Sequence, residues 1–293
     1  MSNIMFKILR YSGAAWLWRE MVQRRLVTFL LFHDMDAFDA ERNFAYLKQH
    51  YNIIGLQDYL QAVRVGLKLP HKALVITFDD GHASNRSLLP TLQRMHVPVT
   101  IFICSEIVDT QRHFWFRHNE ETKAQVEALK CIPNTERLQW MACMGFSQEK
   151  EFGERQALTA DEITEMKFTV DFQSHTCFHP ILPQCDDDTA RHEILDSKHQ
   201  LEERYGLDIN TLSYPNGDYS ERDIRLARDA GYICGVTVDS GYNTLRSDLF
   251  RLKRFSVNDA HTTEELMVKA CGLYALIKHK LHKPSYGFKK ALQ

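Results

Sequence analysis

Short apolar runs recur along this chain, separated by longer stretches in which apolar positions return at helical spacing. The runs predict strands over 27–32, 51–55, 73–78, 99–104, 168–173, 211–214 and 232–238, with a last short one over 251–255. The stretches between them predict helices over 38–49, 56–65, 87–95, 189–205 and 221–230. Repeated strand-then-helix units imply parallel strands, and seven or eight of these close most naturally into an α/β barrel.

Three regions stand outside that alternation. Residues 1–26 interleave Ile4, Phe6, Ile8, Leu9, Trp16, Leu17 and Trp18 with Lys7, Arg10 and Arg19, a basic amphipathic segment. Residues 109–159 read as irregular and too long for an ordinary loop, hence as an insertion that shapes access to a site. Near the carboxyl end, Leu266, Met267, Ala270, Leu273, Tyr274, Ile277 and Leu281 recur at helical spacing behind a Thr262 to Glu265 capping box. A basic tail over 276–293 follows, with five lysines and no acid from Lys278 onward. Residues 27–275 remain as the barrel. For both ends the plain expectation is a helix packed on the barrel with a solvated basic rim; peripheral contact with a membrane is the sharper one.

Composition narrows the class. A chain of 293 residues, 44% hydrophobic, can bury one large core, and 36 Lys plus Arg against 38 acids disfavour a nucleic-acid binder. Charges interrupt every candidate secretory apolar core, and seven cysteines without metal-type spacing suggest reduced thiols; together these predict a cytoplasmic protein.

The candidate chemistry gathers just after strands. Asp79 and Asp80 close the run 73–78 and precede Gly81; two adjacent carboxylates at the end of a buried strand repel each other and lose hydration, so they call for a cation. His175 and His179, four apart, point the same way if that stretch makes one helical turn. One carboxylate and two imidazoles would hold a divalent metal with positions left open. Each feature alone is common; the ordered set, completed by Ser213-Tyr214-Pro215-Asn216-Gly217, is not.

That set resembles the polysaccharide deacetylase family, also called the NodB homology domain or carbohydrate esterase family four, from about Val27 to Phe255. The resemblance implies a distorted, incomplete (β/α)7-type barrel. It also implies that Asp79 is a catalytic base, that Asp80, His175 and His179 are metal ligands, and that the backbone N–H of Asn216 stabilises the oxyanion. Zinc is the expected metal, with cobalt or nickel fitting the same ligands. The implied partner is an N-acetylated sugar or glycan precursor, deacetylated by metal-activated water. Tyr214, Pro215, Trp115 and His33 are the expected substrate contacts: Trp115 sits in the aromatic and basic segment 111–118, suited to stacking on a sugar, and His33 follows the first strand.

Departures from the family pattern limit the transfer. Ser213 stands where many members have an Arg that bonds the base, so Asp79 must be positioned by something else. Asn216 replaces an aromatic, the later Asp-x-x-Asp-Trp signature is absent, and the general-acid Leu-x-His has no match. His261 precedes a helix cap and reads as surface. A sugar deformylase or O-acetyl esterase would use the same centre, and a degenerate glycan-binding module would keep the fold without turnover.

Overall fold

The computed structural model describes residues 3–118, 123–257 and 261–281. Among these residues eight strands carry the fold: β1 Thr28–Phe32, β2 Asn52–Ile53, β3 Ala73–Phe78, β4 Val99–Ile103, β5 Val170–Ser174, β6 Thr211–Ser213, β7 Cys234–Val236 and β8 Phe255–Ser256. All pair in parallel, in the order β7-β6-β5-β4-β3-β1-β8, with β2 beside β3. The sheet curls into a half-barrel, the incomplete barrel that the family resemblance implies, and not the closed ring that the alternation of strands and helices alone suggests. Between β7 and β8 the ladder fails to close, and the segment 249–254 fills the gap through two backbone bonds to Gly235 and one to Thr237.

Among the described residues twelve α-helices accompany the strands: α1 Asn3–Tyr11, α2 Ala14–Met21, α3 Ala37–His50, α4 Leu56–Val65, α5 Leu89–Met95, α6 Lys123–Leu129, α7 Asn134–Cys143, α8 Ala160–Met166, α9 Asp187–Tyr205, α10 Glu221–Asp229, α11 Thr263–Ala270 and α12 Leu273–Leu281. Local chemistry starts several of them. The side chains of Asp36, Thr159, Asp186, Ser220 and Thr262 each accept the N–H three residues on, satisfying a donor that the first turn leaves orphaned.

Side-chain parity along the strands decides what faces where. Leu74, Ile76 and Phe78 of β3, with Val99, Ile101 and Ile103 of β4, pack outward under the helices. Ala73, Val75 and Phe102 point to the barrel interior with Phe29 and Val236. Asp79 continues the inward set of β3, and His175 continues that of β5; this places a carboxylate and an imidazole at the carboxyl-terminal mouth.

The insertion is more regular than its sequence suggests. It carries α6 and α7 around an apolar cluster of Trp115, Leu129, Met141, Phe146 and Ile181. These helices are short, and buried Arg137, laid over the Trp115 ring at 4.5 Å, breaks the apolar rhythm that would have revealed α7. At the ends, α1 and α2 pack through Phe6 and Ala15 on Val268, Cys271 and Leu273. The predicted carboxyl-terminal helix is two, broken at Gly272. Most of the basic tail, 282–293, lies outside the described residues. No helix among the described residues is long and apolar enough to cross a membrane.

Candidate metal centre and active site

Asp80 adopts φ +73° and Gly81 φ +68°, which turns the chain sharply at the end of β3. A side chain on Gly81 would meet Ile103 at 2.5 Å, so only glycine lets this turn press against β4. The turn swings the Asp80 carboxylate toward the 175–179 loop. There Thr176 and His179 also have positive φ, a costly conformation for residues with a Cβ that clusters at working sites. Glu193 of α9 holds that loop from behind, accepting the N–H groups of Cys177 and Phe178 at 2.9 Å each. Burial pushes the Glu193 carboxyl up to about 7 despite those two bonds.

The result is a convergence of three buried side chains. Asp80 Oδ1 lies 3.5 Å from His175 Nε2 and 3.4 Å from His179 Nε2, and no hydrogen-bond donor reaches it. His175 donates from Nδ1 to the Ser213 carbonyl at 2.8 Å, which leaves its Nε2 lone pair facing Asp80. Asp80 Oδ2 is engaged elsewhere, 3.1 Å from His82 Nε2, while Arg117 donates to His82 Nδ1 at 2.9 Å. One buried carboxylate oxygen without a donor, met by two imidazole nitrogens, is the donor set that a divalent cation of borderline softness takes.

Electrostatics agree with that fit. Burial alone would raise Asp80, but His175 and His82 override it and hold the carboxyl well below its usual range. Burial lowers His179 to about 3, so this ring is neutral at any ordinary pH. Burial also disfavours charge on His175, yet Asp79 and Asp80 outweigh it and raise that imidazole. A proton on His175 therefore competes for the position a cation would occupy.

Asp79 is gripped rather than free. Arg254 sends Nη1 to Oδ1 at 2.7 Å and Nη2 to Oδ2 at 2.8 Å, and Ser213 Oγ donates to Oδ2 at 3.2 Å. Arg254 in turn is locked by Ser213 Oγ, Thr77 Oγ1 and the Thr237 carbonyl. Burial would raise Asp79, but the guanidinium and then His175 hold it below the ordinary carboxylate range. Arg254 thus does from the strand gap what an Arg in place of Ser213 would have done. Neither Arg254 nor His82 stands out in the sequence, although His82 directly follows Gly81 and Arg254 lies within the last short strand expected over 251–255.

These groups open onto a cavity of about 360 Å³ whose lining also includes Leu31, His33, Phe116, Lys130, Asn216 and Ser256. His33 and Asn216 therefore reach the site, the latter at φ +57° before Gly217, where a Cβ would stand 2.3 Å from Val238. A larger hollow of about 650 Å³ lies at the opposite end of the barrel, beneath α4, away from this cluster.

Four residues are not where the sequence suggests. Trp115 is buried and donates its indole N–H to the His179 carbonyl at 2.9 Å; the ring on the cavity wall is its neighbour Phe116, 4.7 Å from the His179 ring. Tyr214 and Pro215 are buried as well, and the Tyr214 hydroxyl donates to the Phe250 carbonyl, so they support the loop from beneath. His261 is buried with its ring 6.1 Å from Phe32 rather than lying at the surface. The cations of segment 111–118 are engaged nearby, Arg112 with Glu106 and Glu149, Arg117 with His82 and Asp34.

Comparison with known proteins follows the same lines. A polysaccharide deacetylase family model matches residues 66–235, a span that includes every motif residue above but not Arg254. YxkH of Bacillus subtilis, itself designated a polysaccharide deacetylase, is 23% identical over 193 residues, 65% of this chain and 53% of its own; the chain thus spans about half the length of that relative. Among solved structures, the Streptococcus pyogenes deacetylase PplD in complex with acetate superposes with a TM-score of 0.63 at 18% identity, covering 84% of this chain and 99% of that one. IcaB from Ammonifex degensii gives 0.60 at 18% identity, covering 85% and 98%. At these identities the superpositions establish the fold, and the family match, over more than half the chain, establishes descent: the chain belongs to the polysaccharide deacetylase family.

Proposed function

We propose that this chain is a hydrolase that removes the N-acetyl group from an amino sugar in a glycan or glycan precursor, using a divalent cation held by Asp80, His175 and His179. The observation that carries this reading is the donor-free Asp80 oxygen facing two imidazole nitrogens, with the clamped Asp79 carboxylate beside it. Family membership and the shared fold with deacetylases support the reaction class. A cation in that place supplies Lewis-acid polarisation of a water and of the amide carbonyl. Zinc suits two imidazoles and one carboxylate, as cobalt or nickel would.

The remaining work falls to this chain's own groups. Asp79 is the general base: Arg254 keeps it ionised and fixes its plane, and a carboxylate held this acidic takes a proton only from a strongly polarised donor. The backbone N–H of Asn216 is assigned to the oxyanion, since its positive φ brings the loop to the cavity wall. Phe116 offers the ring on which a sugar face stacks, and Lys130 places a cation at the same wall. Once protonated, Asp79 is also the group positioned to return a proton to the leaving amine.

Acetate release from N-acetylated oligosaccharides and nucleotide-linked amino sugars tests the proposal. Metal-loaded protein should release acetate, and Asp79→Asn should lose turnover while keeping its metal content. Release of formate alone, or turnover by Asp79→Asn near the wild-type rate, contradicts it.

A further inference from the structure

The α1–α2 hairpin is apolar on two sides, and only one of them is covered. Phe6 and Ala15 face inward onto α11 and α12. On the opposite side Ile4, Ile8 and Tyr11 follow one another at helical spacing, as do Leu17 and Met21, with Trp16 beside them. All six are between 50% and 72% exposed. The apolar face of these helices is thus wider than the part that packs inward, and large apolar side chains left in solvent beside one another mark a site of contact rather than ordinary scatter.

Charge around the patch identifies the occupant. Lys7 of α1 is exposed, as are Arg24 and Arg25 in the tight turn that follows α2. The one acid of residues 1–26, Glu20, is neutralised by Arg19 at 2.9 Å and Lys72 at 3.1 Å. Glu264 across the turn is neutralised by Arg10 at 2.8 Å. The sequence beyond residue 281 holds three more lysines and no acid. This basic concentration sits on a molecule of net charge −2, so it is local rather than general. A protein partner of ordinary composition has no need of this combination, whereas an anionic bilayer offers both an apolar phase for the large side chains and phosphates for the cations.

We propose that the outer face of α1 and α2 docks this protein on an anionic membrane surface, apolar side chains entering the interface and Lys7, Arg24 and Arg25 meeting lipid phosphates. The surface lies outside the catalytic cavity, so this inference stands whether or not the deacetylase reading does.

Co-sedimentation of the full chain with vesicles provides the test. It should pellet with vesicles of equal parts phosphatidylcholine and phosphatidylglycerol, bind phosphatidylcholine alone more weakly, and release with added salt. Ile8→Glu combined with Leu17→Glu should lower partitioning by at least about tenfold. Lys7→Gln, Arg24→Gln and Arg25→Gln should each cost roughly fivefold on the anionic vesicles only. Circular dichroism melts of these surface variants should match wild type. Failure of the wild type to pellet overturns the proposal, as does unchanged partitioning of the variants. A dimer in size-exclusion chromatography that Ile8→Glu dissociates, without vesicle binding, would assign the patch to a second copy and overturn it equally.

Discussion

Asp79 has both carboxylate oxygens bonded by Arg254, so its ionisation and its orientation share one cause. Replacing the guanidinium by an apolar side chain leaves burial unopposed. Arg254→Met should therefore raise the Asp79 pKa, move the acidic limb of the pH–rate profile upward, and lower the neutral-pH rate by about 10²-fold or more. An unmoved acidic limb would show that Arg254 is only structural. The stability consequence has a definite sign. Because the folded pKa lies below the ordinary value of 3.8, the pair stabilises fully above that value and loses its contribution as pH falls through the folded pKa. Urea midpoints of wild type should fall in acid more steeply than those of an Asp79→Asn, Arg254→Met double variant. At His175 the sign reverses: its pKa is raised above 6.5, so a proton competes with a cation, and metal affinity by calorimetry should increase as pH rises through and beyond that value. The motif residues were legible because their identity and spacing are local. Arg254 was not, since its partner is 175 positions away and nothing near it in the chain hints at a buried carboxylate. Trp115 misled for the opposite reason: composition suggests a sugar platform, while the tertiary fold uses its indole to brace His179.

At the scale of elements, the site depends on three tight turns that strands deliver and other elements hold. Gly217 at φ +72° would place a Cβ 2.6 Å from the Val238 nitrogen, so Gly217→Ala should destabilise by about 1–3 kcal/mol and distort the Asn216 loop, measurable as a lower urea midpoint together with lost activity. Glu193 makes a sharper test of the 175–179 loop. Its pKa of about 7 lies above its ordinary value, so its stabilising contribution is complete below about 4.5 and lost as pH rises through 7. Glu193→Gln, which keeps an acceptor for Cys177 and Phe178, should match wild type near pH 5 and exceed it near pH 8, with chelator present in both melts. Glu193→Ala should be weaker at both by about 1–3 kcal/mol, having lost both bonds. Equal destabilisation by both substitutions would contradict the bracing role. Strand positions were readable because buried parallel strands are short, continuous apolar runs, as 73–78 and 99–103 show. The helices of the insertion were not, since their few inward positions alternate with Arg137 and the polar residues of 134–139.

For the whole molecule, the incomplete closure between β7 and β8 has a chemical use: segment 249–254 threads the gap and carries Arg254 to the barrel mouth, where it grips Asp79 beside the ligand cluster. Barrel class and the rim location of the site follow from the repeat of strands and helices, so they were visible in the chain. The closing segment was not, because its pairing to Gly235 and Thr237 is irregular and leaves no periodic signature. All of this chemistry rests on one point in space where Asp80 Oδ1 and the Nε2 atoms of His175 and His179 face one another. Anomalous diffraction from crystals grown with zinc, collected on both sides of the zinc edge, tests it most directly. A single strong peak bonded to those three atoms, with the Asp79 carboxylate alongside and unbonded to it, is the expected result; a cavity without a peak, or a peak held by other side chains, would contradict the account.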